Sequence, residues 1–141
     1  METNIQSNIV IAGTSHLTKK PQDTPLNVIE LMCEATQKAA EDAGNDAILS
    51  AVDQIIVPQG TWSISNPGGL IAQHLDISAR SITYNIGILQ SSLIKRAIED
   101  VGASKSRCTL IVGGEAKNFE RNASEFLNAI PTLSDSRTQD S

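Results

Sequence analysis

Four short β-branched runs alternate with three helix-length amphipathic stretches, and that alternation limits this chain to few architectures. The runs are residues 8 to 12 (NIVIA), 52 to 57 (VDQIIV), 81 to 85 (SITYN) and 107 to 112 (RCTLIV). Gly13, Pro58 and Gly113 close three of them, as residues that turn the chain or withhold a ladder donor do. In the first helical stretch Val28, Met32, Ala35 and Ala39 recur at helical spacing, with Ile29, Cys33 and Ala40 flanking the stripe and Gly44 as the stop. Asn66 caps the second stretch, with Pro67 at the first helical position, where a missing N–H is not needed. The third runs from about Gly87 to Val101; Leu89, Leu93, Ala97 and Val101 mark one face, with Ile94 and Ile98 beside it, and Gly102 ends it. Strands alternating with helices predict an α/β fold: a mostly parallel sheet covered by helices, with right-handed crossovers.

Composition agrees with that layering. Aromatic residues are 3% of the chain, so the core has to be built from Ile, Val, Leu and Ala, as helix-covered parallel sheets are. A length of 141 residues suits one domain or a piece of a larger one. Residues 1–130 read as the folded part, with a weaker helix over Asn122 to Ala129. The polar tail 131–141 (PTLSDSRTQDS) lacks periodicity and is expected to be disordered. The net charge of −5 and a pI near 4.9 argue against a nucleic-acid partner, because phosphate binding needs clustered Lys and Arg. No apolar run approaches the ~20 residues of a membrane span, and the N-terminus has no leader pattern. Cys33 and Cys108 do not make a disulfide framework, which places the chain in a reducing, cytoplasmic setting.

Motifs that would carry chemistry are sparse. The dinucleotide fingerprint, the phosphate loop and the G-x-S-x-G elbow are all absent. Gly113-Gly114-Glu115 follows a buried strand and either lets a ligand approach the backbone or simply turns the chain. Cys33 in the first helix and Cys108 in a core strand read as small buried hydrophobes, since neither stands at a helix N-terminus, where a thiol pKa falls. His16 and His74 lack ligand spacing to each other or to the cysteines, so no metal site is expected. Ser91 and Ser92 have no base beside them in sequence. Trp62 reads as a packing residue rather than a groove lining.

Four stretches in order resemble one family: IVIAGTSHLTKKPQDTPLNVIELMCEATQKAAEDAG, VDQIIVPQGTWSISNPGGLIAQHLDI, ITYNIGILQSSLIKRAIEDV and TLIVGGEA. Over about residues 8 to 116 the chain resembles the N-terminal part of the thiolase superfamily, and within it the acetyl-CoA acetyltransferase branch related to sterol-carrier-protein thiolases. The resemblance implies a layered thiolase-like fold of which only part of the first half is present. It implies acyl transfer through a cysteine at a helix N-terminus, with a CoA thioester as substrate and no other cofactor. It implies a homo-oligomer or a hetero-complex with another thiolase-like chain. The nucleophile would fall in YNIGILQSSL, where Asn85 or Ile86 stands instead; neither forms a thioester. Gly87, Gly113 and Gly114 become the candidate substrate-binding residues. The expectation is an acyltransferase relative inactive on its own, with two alternatives: a non-catalytic binding or scaffold subunit, and a flavodoxin-like protein whose likeness is accidental.

Overall fold

In the computed structural model, residues 8–20, 23, 24 and 26–116 are described. They form, in order, α1 (Val28–Asp42), a 3-10 helix (Asp46–Ala51), β1 (Gln54–Pro58), α2 (Pro67–Leu75), β2 (Arg80–Tyr84), α3 (Gln90–Gly102) and β3 (Thr109–Ile111). The three strands are parallel in the order β2-β1-β3. The expected α/β layering is therefore present, with β1 at the centre: Gln54, Ile55, Ile56 and Val57 are all buried. Each fully buried aliphatic side chain contributes about 2 kcal/mol of hydrophobic stabilisation.

Capping sets the helix starts. Asn27 accepts a hydrogen bond from the Glu30 N–H at 2.8 Å, and its own N–H donates to Glu30 Oε1 at 3.1 Å, a reciprocal box that opens α1. Asn66 accepts from the Gly69 N–H at 3.0 Å and also takes the Ser81 hydroxyl at 2.8 Å, which ties the start of α2 to β2. Alternation along the strands then sorts the two sheet faces. On one side Ile55 and Val57 join Val28, Ile29 and Met32 of α1 and Ile71 and Ala72 of α2 in the main core. On the other lies α3, with Leu93 buried.

The α3 side is polar near the amino ends of the strands. Gln54, wholly buried, donates from Nε2 to Asp100 Oδ2 at 3.0 Å and to Thr109 Oγ1 at 3.2 Å. Its Oε1 accepts from Arg80 Nε and a terminal guanidinium nitrogen at 2.9 and 2.6 Å. Arg96 donates to Asp100 Oδ2 at 2.8 Å and to the Tyr84 hydroxyl at 2.6 Å. Neighbours in register (Gln54 with Arg80 and Thr109) carry this network across all three strands.

Two sequence expectations differ from the structure. Residues 8 to 12 are not a strand, so the sheet has three strands among the described residues rather than four. Val10 and Ile11 are about three-quarters exposed. β-branched side chains suit a pleated surface, but a strand exists only where an edge pairs with it; here the chain is tied to α1 instead. The Thr14 N–H donates to Asp42 and the Ser15 hydroxyl to the Ala35 carbonyl. The second difference is α3: of the expected Leu89-Leu93-Ala97-Val101 stripe, Leu93 is buried, Ala97 and Val101 are half-buried and Leu89 is exposed, while Asp100 joins the inward face. The Asn122–Ala129 helix and the 131–141 tail lie outside the described residues.

Candidate functional site

Because the strands are parallel, their carboxyl ends all open at one end of the sheet, which is where open α/β folds place ligands. Three connections meet there: residues 59–66 after β1, 85–89 after β2 and 112–116 after β3.

The connection after β2 is a tight turn. The Ile88 N–H reaches the Asn85 carbonyl at 3.3 Å. Gly87, with φ of +92°, takes the third position, which in a type II turn demands glycine. Asn85 and Ile86 are exposed at its tip. Leu89 is the N-cap of α3 and offers no side-chain hydrogen bond to the first-turn N–H groups. The thiols are elsewhere. Cys33 lies within α1, where burial and then the Glu30 charge push its pKa up to about 11. Cys108 precedes β3 at the opposite, amino end of the sheet, its carbonyl accepting from the Asp53 N–H just before β1. Burial, followed by the Asp53 charge, raises its pKa as well. Neither is a thiolate near neutral pH, and neither stands at the turn.

The connection after β3 borders a cavity of about 260 Å³, lined by Ser15–Leu17, by Leu31 and Ala35 of α1, and by Gly113, Gly114 and Glu115. Two of the three glycines singled out in sequence thus come together beside one space, while Gly87 is not among its lining residues. A Cβ on Gly114 would come 3.1 Å from Met32 Cγ, so the loop lies close against α1 and the Met32 side chain would have to give by a few tenths of an ångström to admit one. Glu115 is held from across the sheet end: one carboxylate oxygen accepts the Thr61 N–H at 2.8 Å and the other the Thr61 hydroxyl at 2.7 Å. Trp62, 5% exposed, donates its indole N–H to the Gly114 carbonyl at 2.8 Å. Trp62 is therefore a packing residue that also staples two loops. With Thr61 occupying one acceptor position on each oxygen, Glu115 keeps acceptor capacity on a fixed carboxylate. His16 lines the same cavity and is exposed. Sequence reading singled out Glu115 but missed its partner Thr61, 54 positions away. No group of three His, Cys, Asp or Glu side chains gathers in metal-binding fashion among the described residues, and no helix among them is long and apolar enough to cross a membrane.

No family model matches the chain, and a search of curated proteins finds no match. Solved structures do match. OleA of Xanthomonas campestris bound to cerulenin superposes with a TM-score of 0.57 at 14% identity, over 80% of this chain and 35% of that one. A Cys-to-Ser variant of OleA from the same organism, with bound lauric acid and lauroyl-CoA, superposes with a TM-score of 0.57 at 15% identity, over 95% of this chain and 40% of that one. The chain thus spans 35–40% of the length of these structures. OleA is a thiolase-superfamily enzyme, and the fold of this chain, over the span it covers, is thiolase-like.

Proposed function

We propose that the chain is a relative of the thiolase-superfamily acyltransferases, from the acetyl-CoA acetyltransferase side related to sterol-carrier-protein thiolases. In this reading it retains a surface for a CoA thioester but does not transfer acyl groups covalently on its own. One observation carries it: on a thiolase-like fold, the turn between β2 and α3 holds Asn85 and Ile86, while both thiols are half-buried or buried away from it with raised pKa values. Covalent acyl transfer needs an ionised or activatable nucleophile at the reacting carbon. An amide or an alkyl side chain supplies none. What the chain can offer a thioester is position: the first turn of α3, which no side chain caps and whose positive end suits an oxygen carrying negative charge, and the cavity beside Gly113, Gly114 and Glu115.

A second reading, a non-catalytic subunit paired with another thiolase-like chain, is favoured by the apolar side chains that α3 leaves uncovered. One experiment addresses both. Lauroyl-CoA and CoA are titrated into the purified chain by calorimetry, and the same sample is incubated with acetoacetyl-CoA plus CoA and then analysed by intact-mass spectrometry. Saturable binding with no turnover and no acyl adduct is the expected result. An acyl adduct on Cys33 or Cys108 would sink the account of the nucleophile. Absence of any binding would leave the subunit reading in its place.

A further inference from the structure

The walls of the cavity beside the loop after β3 divide by polarity. Leu31 and Ala35, one turn apart on α1, and Leu17 from the segment before α1 are apolar and half-buried. Glu115 is the single carboxylate in the lining, and His16 is the one other side chain there that can carry charge. Glu115 is set in place before any ligand arrives. Thr61 fills one acceptor position on each of its oxygens, out of about four on an ionised carboxylate. The close fit depends on Gly60: a Cβ there would stand 2.7 Å from Glu115 Oε2 and would collide with the Trp62 indole nitrogen, the same nitrogen that holds the Gly114 carbonyl. Both of these donors to Glu115 belong to one neutral residue. The ion pairs among the described residues join Lys19 to Glu34, Lys95 to Glu99, Arg96 to Asp100 and Arg107 to Asp53; none reaches Glu115. The result is a fixed anion with open acceptor positions at the exposed edge of a small apolar space.

We propose that this cavity binds a small primary ammonium ion with a short apolar body, the ammonium on Glu115 and the body against Leu17, Leu31 and Ala35. An ammonium brings three donors and a positive charge, and the open carboxylate positions call for both. The volume, about 260 Å³, falls below the ~300–1,000 Å³ of sites for drug-sized molecules, so the ligand is small. A metal ion fits less well, since no group of three His, Cys, Asp or Glu side chains gathers among the described residues. The carboxylate disfavours anions, the phosphates of CoA included. The inference therefore goes beyond the thioester reading and stands without it.

The test is a titration of the purified chain, at constant ionic strength, with isopentylamine, isopentanol and isovalerate, which share one branched skeleton and differ in charge. Binding is read by Trp62 fluorescence and by the amide chemical shifts of Gly113, Gly114 and Glu115. The amine should saturate in the millimolar range that so few atoms allow, at least about tenfold tighter than the alcohol, and isovalerate should not bind. Glu115→Gln keeps the side-chain shape and should erase the advantage of the amine over the alcohol. Ala35→Leu fills the apolar wall and should weaken amine and alcohol alike; circular dichroism checks the fold of each variant. Equal affinity for amine and alcohol in wild type overturns the inference with no variant needed. So does a preference for the amine that survives Glu115→Gln, or a set of amine-induced shifts spread over other surface acids instead of these three residues. In either case Glu115 is a clasp for Thr61 and nothing more.

Discussion

Replacing Asp100 with alanine is the sharpest probe of what holds α3 to the sheet. Its side chain is 7% exposed and receives two hydrogen bonds, from Arg96 at 2.8 Å and Gln54 at 3.0 Å. Hydrogen bonds to a charged group are each worth about 1.5–3 kcal/mol, and breaking a buried ion pair from one side costs about 3–5 kcal/mol. Arg96 is 41% exposed, so its guanidinium can recover water when its partner is gone, which pulls the cost toward the low end. Gln54 cannot, since it is wholly buried. The expected loss is about 3 kcal/mol, out of the ~5–15 kcal/mol that such domains possess, or a fall of about 10 °C in Tm. Trp62, the only tryptophan and buried, reports urea unfolding by fluorescence. Asp100→Asn keeps the shape and one acceptor and should lose less, about 1–2 kcal/mol. The pH dependence adds a second check. Burial raises the Asp100 pKa, but hydrogen bonds from Arg96 and Gln54 and the charges of Arg96 and Lys105 outweigh it and hold the carboxyl below its ordinary range. A carboxyl lowered in the folded state contributes stability above its unfolded pKa and loses it as pH falls through the folded one. The gap between wild type and Asp100→Asn should therefore narrow as pH drops below about 4. An alanine variant within 0.5 kcal/mol of wild type at pH 7, with an unchanged denaturant slope, would refute the claim that this carboxylate anchors the helix.

Three further outcomes are expected. With its pKa near 11, Cys33 should react with a thiol reagent at pH 8 at least about a hundredfold slower than a free cysteine, and recover full reactivity in urea; fast labelling of the native chain would contradict its placement. Asn27→Ala removes the side-chain half of the α1 capping box, the acceptor of the Glu30 N–H, at a site 3% exposed and should cost about 1–2 kcal/mol in chemical denaturation. Gly87→Ala forces a Cβ into φ of +92° and should cost about 1 kcal/mol or more; a stabilised variant would show that the turn is of another type.

The parts of the fold written in local chemistry were legible in sequence. Asn66-Pro67 announced α2, the stripe from Val28 to Ala39 announced α1, and the strand–helix alternation announced the parallel sheet. The thiolase-like architecture rested on the order of four stretches rather than on any single motif. What escaped depends on distant partners. Asp100 looks like a surface acid on a helix, and only Gln54, 46 positions away, makes it a core residue. Glu115 follows two glycines like any loop acid until Thr61 grips it. Residues 46–51 (DAILSA) offered no signal to separate a 3-10 turn from a loop. Leu89 was assigned to a buried helical face because a periodicity argument extends the helix past its start; its extended N-cap backbone breaks the phase and leaves it in solvent.

That last error leads to a claim about why α3 faces the way it does. Its inward positions are Leu93, Arg96 and Asp100, spaced by three and four, and Ile94 and Ile98 sit one and two residues further round. Hydrophobicity alone would favour a helix rolled by roughly 150°, with both isoleucines inside. The Gln54–Asp100–Arg96–Tyr84 chain of hydrogen bonds opposes that roll, because any other rotation takes Asp100 from the buried Gln54 Nε2, leaving it Thr109 alone, and takes Arg96 from Tyr84. Buried ionic networks often add little net stability yet specify one arrangement. A triple variant, Gln54→Leu, Arg96→Leu and Asp100→Leu, separates the two effects. Its unfolding free energy should lie within about 1 kcal/mol of wild type or above it, in contrast to the single alanine change, while its α3 loses a defined rotation. The rotation is read by placing a probe thiol with Ile98→Cys in both backgrounds, each with Cys33→Ala and Cys108→Ala. In the native background labelling should be fast, as befits a half-exposed position; in the triple background it should slow as the helix rolls inward. Equal labelling rates in the two would mean that the apolar residues set the phase of α3 without help, and that the polar network merely fills the space they leave.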